Sequence, residues 1–192
     1  MGSYTGEVLI FSIMGNKAQL LEVVAVQQNA IKGISIADGF LFTACADNHV
    51  KMHQLKDGIP TECLLTGLHD RLCNASCSLG NDTFLSVSRD LTLRIWSKTE
   101  QRTIKSPHKN SIKCVSFDPV NQHVCTGTYG GEFGIYDLKK NNWIHLERVS
   151  ESGISSVVHD SSNQRFLAST YSGKIHEIPA TRFTSNQGSI SV

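Results

Sequence analysis

The chain has 192 residues, of which 40% are hydrophobic and 18% are charged, and it carries a formal net charge of +1. This length and composition exclude an intrinsically disordered protein, and the near-zero charge gives no general attraction to nucleic acid or to an anionic membrane surface. The sequence has no apolar run long enough for a membrane-spanning helix and no secretory leader.

The six cysteines do not form a recognisable metal-binding pattern. Cys73 and Cys77 are four residues apart, which is not the usual spacing of paired zinc ligands, and no pair of histidines completes a site. Most of the cysteines lie in apolar strand-like runs. We therefore expect no metal and no cofactor, and we interpret the cysteines as buried thiols of a protein in a reducing compartment, cytoplasmic or nuclear.

Short β-hairpins recur along the chain. Each has a turn of small or polar residues, followed by an alternating strand that ends in a large side chain. The end residues, in chain order, are Phe11, His53, Trp96, Tyr136 and Ile178, and their separations are 42, 43, 40 and 42 residues. A period of about 40–45 residues is typical of a four-stranded propeller blade.

The clearest hairpin runs from Phe84 to Trp96. A strand with small hydroxyl residues leads into the turn Arg89-Asp90, and an alternating strand then runs to the tryptophan. This hairpin resembles the closing hairpin of a WD repeat, in which an aspartate in the turn precedes a tryptophan by six residues. The resemblance extends, with the period, over nearly the whole chain.

The elements between these hairpins are also strands and turns. No segment carries an apolar period of 3.6 residues beyond two turns, and glycine, asparagine and aspartate fall at the turns. The fold class predicted is all-β: a β-propeller of four-stranded antiparallel blades, in an incomplete ring of about five blades. The predicted repeat units of this single propeller segment are 12–53, 54–96, 97–136 and 137–178, with a partial blade at 1–11 and a tail at 180–192.

The first eleven residues parallel residues 127–136, so Met1 falls within the second strand of a blade. Nothing in the tail from Ala180 to Val192 resembles the missing inner strand. A ring left open would expose apolar faces of its blades. We therefore expect the propeller to be completed by a further segment, by another chain or by a second copy.

The WD-repeat resemblance implies a hydrogen-bonded chain of side chains that ties each blade together. In the third blade its members are His69, Ser86 or Ser88, Asp90 and Trp96. The fourth blade keeps His108 but has Gly130 in the place of the acid, and the second blade keeps Asp47 but has no histidine near Gln27. The alternative is a catalytic triad of Ser88, His69 and Asp90. We do not favour it, because these groups satisfy one another inside a blade and do not face a cleft, so no catalytic residue is predicted.

The residue just before each turn acid is predicted to point out at the end of the disc. These residues are Tyr4, Ala46, Arg89, Tyr129 and Tyr171, and the residues that precede the inner strands, Asp70, Arg71, Lys109 and Asn110, belong to the same face. Tyrosine and arginine are enriched among the residues that dominate protein interfaces. The alternative is that the tyrosines only pack against neighbouring turns. The predicted partner-binding residues are Tyr4, Arg89, Tyr129, Tyr171, Arg71, Lys109 and Asn110.

Lysines follow the third strand of successive blades at Lys56, Lys98 and Lys139-Lys140. We interpret them as a solvated rim. The alternative is a weak surface for an acidic or phosphate-bearing partner.

The sequence therefore predicts a non-catalytic scaffold for protein–protein interaction that binds a peptide or a multi-protein complex on its loop face. We expect neither nucleic-acid binding nor membrane insertion. The alternative function is that of a purely structural subunit of a larger assembly. The two differ in that a structural subunit recognises no motif of its own.

Overall fold

A computed structural model describes residues 1–183 of the chain as consecutive antiparallel sheets, in which each strand pairs with the next strand in sequence. Three of the sheets have four strands. The first contains β3 (Ile31–Ala37), β4 (Phe40–Cys45), β5 (His49–Lys56) and β6 (Ile59–Leu68). The second contains β7 (Cys73–Gly80), β8 (Thr83–Ser88), β9 (Thr92–Trp96) and β10 (Gln101–Lys105). The third contains β11 (Ile112–Asp118), β12 (His123–Thr128), β13 (Glu132–Asp137) and β14 (Asn142–Arg148).

Two sheets at the ends of the described chain have fewer strands. The first pairs β1 (Glu7–Met14) with β2 (Lys17–Ala25), and the last contains β15 (Ile154–Asp160), β16 (Arg165–Thr170) and β17 (Ile175–Pro179). A single bridge between Gly2 and Val8 adds a short third segment beside β1. The prediction of an all-β chain of four-stranded antiparallel blades is confirmed. Within residues 1–183 no helix is long and apolar enough to cross a lipid bilayer.

The second strand of each four-stranded sheet is the most buried. Every residue of β4 and β12 is buried, and in β8 only Thr83 is partly exposed. A strand that is buried on both faces does not need to alternate apolar with polar residues. Hydroxyl side chains therefore occur inside these strands, where they must find hydrogen-bond partners.

The innermost strands share an irregularity. The pairing register shifts after the first residue of β3, β11 and β15, so one extra residue is accommodated at Lys32, Lys113 and Ser155. Such a β-bulge bends the strand and changes the direction in which a side chain points.

The described chain divides into two compact units, whose boundaries fall within β8, β9 and β10. One unit comprises Met1–Ser86 and Ile95–Gln101, and the other comprises Val87–Arg94 and the described residues from Arg102 onward. The core of the first unit includes Phe42, Met52, Phe84 and Trp96. The core of the second is built on aromatic and aliphatic side chains of β13, β16, β17 and the segment after β17, including Phe133, Phe166, Ile178 and Phe183.

The predicted tail comprises residues 180–192. Its described part, Ala180–Phe183, is a 3₁₀-helix that buries Ala180 and Phe183. The rest of the predicted tail, residues 184–192, lies outside the described residues. The described part of the tail therefore packs into the second core.

Candidate functional site

A buried hydroxyl lies at the centre of the second four-stranded sheet. Ser86 on β8 accepts a hydrogen bond of 2.7 Å from Trp96 Nε1, and its Oγ also lies 2.7 Å from His69 Nε2. All three side chains are fully buried. The structure therefore brings together three of the residues that the WD-repeat resemblance implies, with Ser86 as the shared hydroxyl.

The indole of Trp96 occupies space that is free because residue 67 is a glycine. A methyl group added at Gly67 would lie 2.1 Å from Trp96 Cζ3, so only glycine allows the indole to lie against the end of β6. His69, two residues further on, meets the indole edge-on, with ring centroids 6.0 Å apart. The position of Trp96 thus depends on Gly67 and His69 as well as on Ser86.

Asp90 organises the turn between β8 and β9. Its Oδ1 accepts hydrogen bonds from the Thr92 backbone amide at 2.9 Å and from the Thr92 hydroxyl at 2.7 Å, while the Asp90 amide donates to Ser88 Oγ. Leu91, expected to begin the strand, adopts a φ of 64° and belongs to the turn. Asp90 therefore holds an aliphatic residue in the left-handed region that it otherwise avoids.

The third four-stranded sheet repeats the arrangement with different residues. His108 Nε2 lies 2.8 Å from the buried hydroxyl of Thr126, which stands where β8 has Ser86. His108 Nδ1 lies 3.4 Å from a carboxylate oxygen of Glu132. Gly130 stands at the expected position of the acid in this blade, yet Glu132, two residues later, supplies a carboxylate to the histidine.

In the first four-stranded sheet a glutamine takes the place of the histidine. Gln27 Nε2 donates a hydrogen bond of 2.9 Å to the hydroxyl of Thr43, which occupies the position of Ser86 and Thr126. Both side chains are buried. Gln27 lies 16 residues before Thr43, close to the 17 and 18 residues that separate His69 and His108 from their hydroxyl partners, so the repeat alignment could have identified Gln27 as the substitute.

Burial controls the protonation of these histidines. It lowers the pKa of His108 from 6.5 to about 4, although the Glu132 carboxylate acts in the opposite direction. Burial likewise lowers the pKa of His53, His123 and His145. These rings are therefore neutral near pH 7 and serve as hydrogen-bonding and packing groups.

Four exposed or half-buried side chains of the second unit meet around the turn that follows β12. The rings of Tyr129 and Tyr171 are stacked, with centroids 6.2 Å apart and planes 8° apart. The guanidinium carbon of Arg89 lies 5.8 Å from the Tyr129 ring centroid, and Lys113 Nζ lies 5.9 Å from it. We call Arg89, Lys113, Tyr129 and Tyr171 the Tyr129 cluster.

The Tyr129 cluster remains open to solvent. Tyr129 is 38% exposed and Tyr171 is 57% exposed. Partial burial, and then the neighbouring Tyr129, raise the pKa of the Tyr171 phenol, so it stays protonated at neutral pH. Tyr129 thus lies next to two other predicted partner-binding residues, Arg89 and Tyr171.

Lys113 was not among the predicted residues. It is the extra residue of the bulge in β11, and the bulge in β3 has a lysine at the same place, Lys32, whose Nζ lies 4.6 Å from the Tyr4 ring centroid. Simple alternation along a strand does not show a bulge. The signal was the recurrence of Ile-Lys at the start of both inner strands.

The remaining predicted binding residues occupy exposed turns. Tyr4 is 81% exposed. Lys109 and Asn110 are also exposed, the Lys109 amide donates to Glu132 Oε2, and a methyl group at Gly130 would clash with Asn110 Nδ2, so both residues lie at the turn that carries Tyr129. Arg71 is exposed in the bend before β7.

The six cysteines are all within the described residues, and none of them forms a disulfide bond. Cys45, Cys73, Cys114 and Cys125 are buried, Cys77 is half-buried and Cys63 is exposed. Cys73 Sγ donates to the Asn48 carbonyl oxygen, and burial raises the pKa of the Cys114 thiol to about 12. The Cys114 thiol is therefore protonated at neutral pH, and Cys73 serves as a buried hydrogen-bonding and packing group.

Comparisons with known proteins agree with this architecture. The family described as "WD domain, G-beta repeat" matches residues 99–137. The intraflagellar transport protein 122 homolog of Danio rerio is 27% identical over 121 residues, which cover 63% of this chain and 10% of that protein. Beige protein homolog 1 of Schizosaccharomyces pombe is 26% identical over 110 residues, which cover 54% of this chain and 4% of that protein. The chain thus spans a tenth or less of the length of these relatives.

A solved structure shares the fold. The structure of U3-55K superimposes with a TM-score of 0.76 at 21% sequence identity, over 92% of this chain and 57% of that one. At this identity the likeness concerns the fold alone. The matched repeat at residues 99–137 and the sequence relatives identify WD40 repeats in this chain, and the structural likeness shows the β-propeller fold.

Proposed function

We propose that the protein is a non-catalytic interaction scaffold that binds a protein partner through the Tyr129 cluster. The observation that carries the proposal is the exposed stack of Tyr129 and Tyr171 with two cations close to one ring. Large, rigid aromatic side chains and arginine supply most of the binding energy of typical interfaces. The loops at the ends of a rigid blade are suited to present such groups.

The charge of the cluster indicates the chemistry of the partner. Among the described residues, no carboxylate lies within ion-pair distance of Arg89 or Lys113, so the cluster carries two uncompensated positive charges. The exposed ring faces offer apolar area beside them. A segment that places an acidic side chain next to an apolar one would complement both features.

The other predicted residues extend the proposed surface. Lys109 and Asn110 lie at the same turn as Tyr129, and we include them in the surface. Tyr4, with Lys32 over its ring, and Arg71 remain proposed contacts on the first unit.

The geometry of the buried histidines supports a non-catalytic role. Ser86 and His69 are fully buried, and the Ser86 hydroxyl already accepts a hydrogen bond from Trp96. A nucleophile must reach its substrate and a general base must be free to take its proton. These residues are positioned to stabilise the sheet.

The test uses single substitutions to alanine at Arg89, Tyr129 and Tyr171. A captured partner is purified, and its dissociation constant is measured for each variant together with the free energy of unfolding. We expect each variant to bind about tenfold or more weakly, while its stability stays within about 1 kcal/mol of the wild type. Phe11→Ala is the matched control, because Phe11 is an aromatic residue on β1 whose exposure of 37% is similar to the 38% of Tyr129.

Two results would contradict the proposal. If all variants lose stability without a separate loss of affinity, the tyrosines only pack against neighbouring turns. If they bind every partner as the wild type does, the chain recognises no motif through this surface, as expected of a purely structural subunit.

A further inference from the structure

A polar pocket of about 370 Å³ lies in the second unit, at the opposite end of β13 from Tyr129. It opens between the outer strand β10 and the turn that joins β13 to β14. The scaffold function proposed above makes no use of it. Its lining residues include Arg102, Lys105, Tyr136, Asn141, Asn142 and Trp143.

Arg102 is held in a fixed orientation by neutral groups. Its Nη2 donates hydrogen bonds to Asn141 Oδ1 at 2.6 Å and to the Tyr136 hydroxyl at 3.0 Å. The Tyr136 hydroxyl also donates to Asn141 Oδ1. Asn141 adopts a φ of 55° at the turn, which brings its amide towards β10. The guanidinium is therefore oriented before any ligand arrives.

The charge of Arg102 is not neutralised. Among the residues that the structure describes, no carboxylate lies within ion-pair distance of its guanidinium, and its Nε and Nη1 have no acceptor. A second cation, Lys105, lines the same pocket, and no acidic residue does. Two cations that share a cavity without a carboxylate leave a local excess of positive charge.

The nearby acid is already occupied. Asp137 is buried, and its Oδ1 accepts the backbone amides of Lys139 and Lys140, each at 2.9 Å. These two lysines are exposed on the turn that forms one wall of the pocket. Lys140 Nζ lies 3.8 Å from Asp137 Oδ2, whereas Lys139 has no ion pair among the described residues and adds positive charge at the rim.

We propose that this pocket, the Arg102 pocket, binds a phosphomonoester. The planar guanidinium matches two phosphate oxygens, while lysine acts as a point charge, so Arg102 would orient the group and Lys105 would add affinity. A phosphomonoester carries nearly two negative charges at neutral pH, which suits the two uncompensated cations better than a single carboxylate does. The volume leaves room for a small polyol beside the phosphate.

The experiment titrates the full chain at low ionic strength with two probes of the same headgroup chemistry. One is free inositol monophosphate, measured by isothermal titration calorimetry. The other is phosphatidylcholine vesicles with and without phosphatidylinositol monophosphate, measured by co-sedimentation. Binding of the free ester alone indicates a soluble ligand, and binding of the vesicles that contain the phosphoinositide indicates a lipid headgroup. Either result supports the proposal, and saturable binding of neither probe overturns it.

Variants locate the site. We expect Arg102→Gln to weaken binding about tenfold or more, since hydrogen bonds to a charged group are lost. Lys105→Gln removes charge from a side chain with no hydrogen bond or ion pair among the described residues, so it should weaken binding by a smaller factor without affecting folding. Lys17→Gln, at an exposed lysine on β2, is the matched control and should bind as the wild type does. Equal losses in Lys17→Gln and Arg102→Gln, or full affinity in both pocket variants, would overturn the assignment.

Discussion

The position that carries Ser86 on β8 carries Ala168 on β16, and the surroundings of the two residues differ accordingly. Around Ser86, Trp96 and His69 converge on one hydroxyl. Around Ala168, the side chains of Phe166, Ile178 and Phe183 form an apolar core, against which the rings of His145 and His159 pack. Both Ser86 and Ala168 are fully buried. The same strand geometry is thus stabilised in one place by hydrogen bonds to a buried hydroxyl and in the other mainly by packing.

The two regions should lose stability in different ways when a residue is substituted. A polar network fixes the orientation of its members. Removing one member lowers the stability of the fold, because the partners remain buried without hydrogen bonds. An apolar cluster loses contacts in proportion to the volume removed. Substitutions can therefore show whether each region behaves as its chemistry predicts.

The largest effect is expected in the apolar region. Phe166→Ala should lower the free energy of unfolding by about 3–5 kcal/mol, because Phe166 is fully buried against Phe133 and Phe183 and its removal leaves a cavity. The measurement is urea-induced unfolding followed by far-ultraviolet circular dichroism. Val158→Ala, at an exposed residue on the neighbouring strand β15, is the control and should cost little. Equal losses in both variants would contradict a packed core at Phe166.

A smaller but more specific effect is expected at the polar network. Ser86→Ala should cost about 2–3 kcal/mol, because it removes the partner of Trp96 Nε1 and of His69 Nε2. The same unfolding experiment measures it. In a double-mutant cycle with Trp96→Phe, the combined loss should be less than the sum of the single losses, since the second change removes the orphaned donor. Strict additivity would show that the indole does not depend on Ser86.

The smallest effect is expected when the histidine that faces a buried hydroxyl is exchanged for glutamine, or the glutamine for histidine. His108 has a pKa lowered from 6.5 to about 4 by burial, so the unfolded chain binds its proton more readily than the folded one. Stability from the neutral ring is complete above about pH 6.5 and is lost as the pH falls towards 4. His108→Gln copies the arrangement of Gln27 with Thr43, and it should reduce this decline while changing the stability at pH 7 by within about 1 kcal/mol.

Urea unfolding at a series of pH values measures this exchange. Gln27→His is the reciprocal variant, and it should make the decline between pH 6.5 and 4 steeper. Some decline should persist in His108→Gln, because burial also lowers the pKa of His53, His123 and His145. An unchanged slope in both variants would show that the residue facing the buried hydroxyl does not determine the pH dependence.

The sequence by itself determined the strands, the repeat and the residues around Ser86. Alternation and turn residues are local properties, and the regular interval from Phe11 to Ile178 places equivalent residues at equivalent points of each sheet. For the same reason the exposed turn positions of Tyr129 and Tyr171 followed from the alignment of hairpins. A hydrogen-bonded chain that spans one repeat can be predicted in this way because its members lie at similar intervals, such as the 16, 17 and 18 residues from Gln27, His69 and His108 to their hydroxyl partners.

Only the tertiary structure decided which substitutes fill the positions where the repeat departs from its pattern. Glu132 reaches His108 although it is displaced from the usual place of the acid, and a bulge turns Lys113 towards Tyr129. Arg102 meets Asn141 across 39 residues of sequence. These contacts depend on register shifts of one residue and on distances between different sheets. No local pattern encodes such distances, because they are set by how whole strands pack.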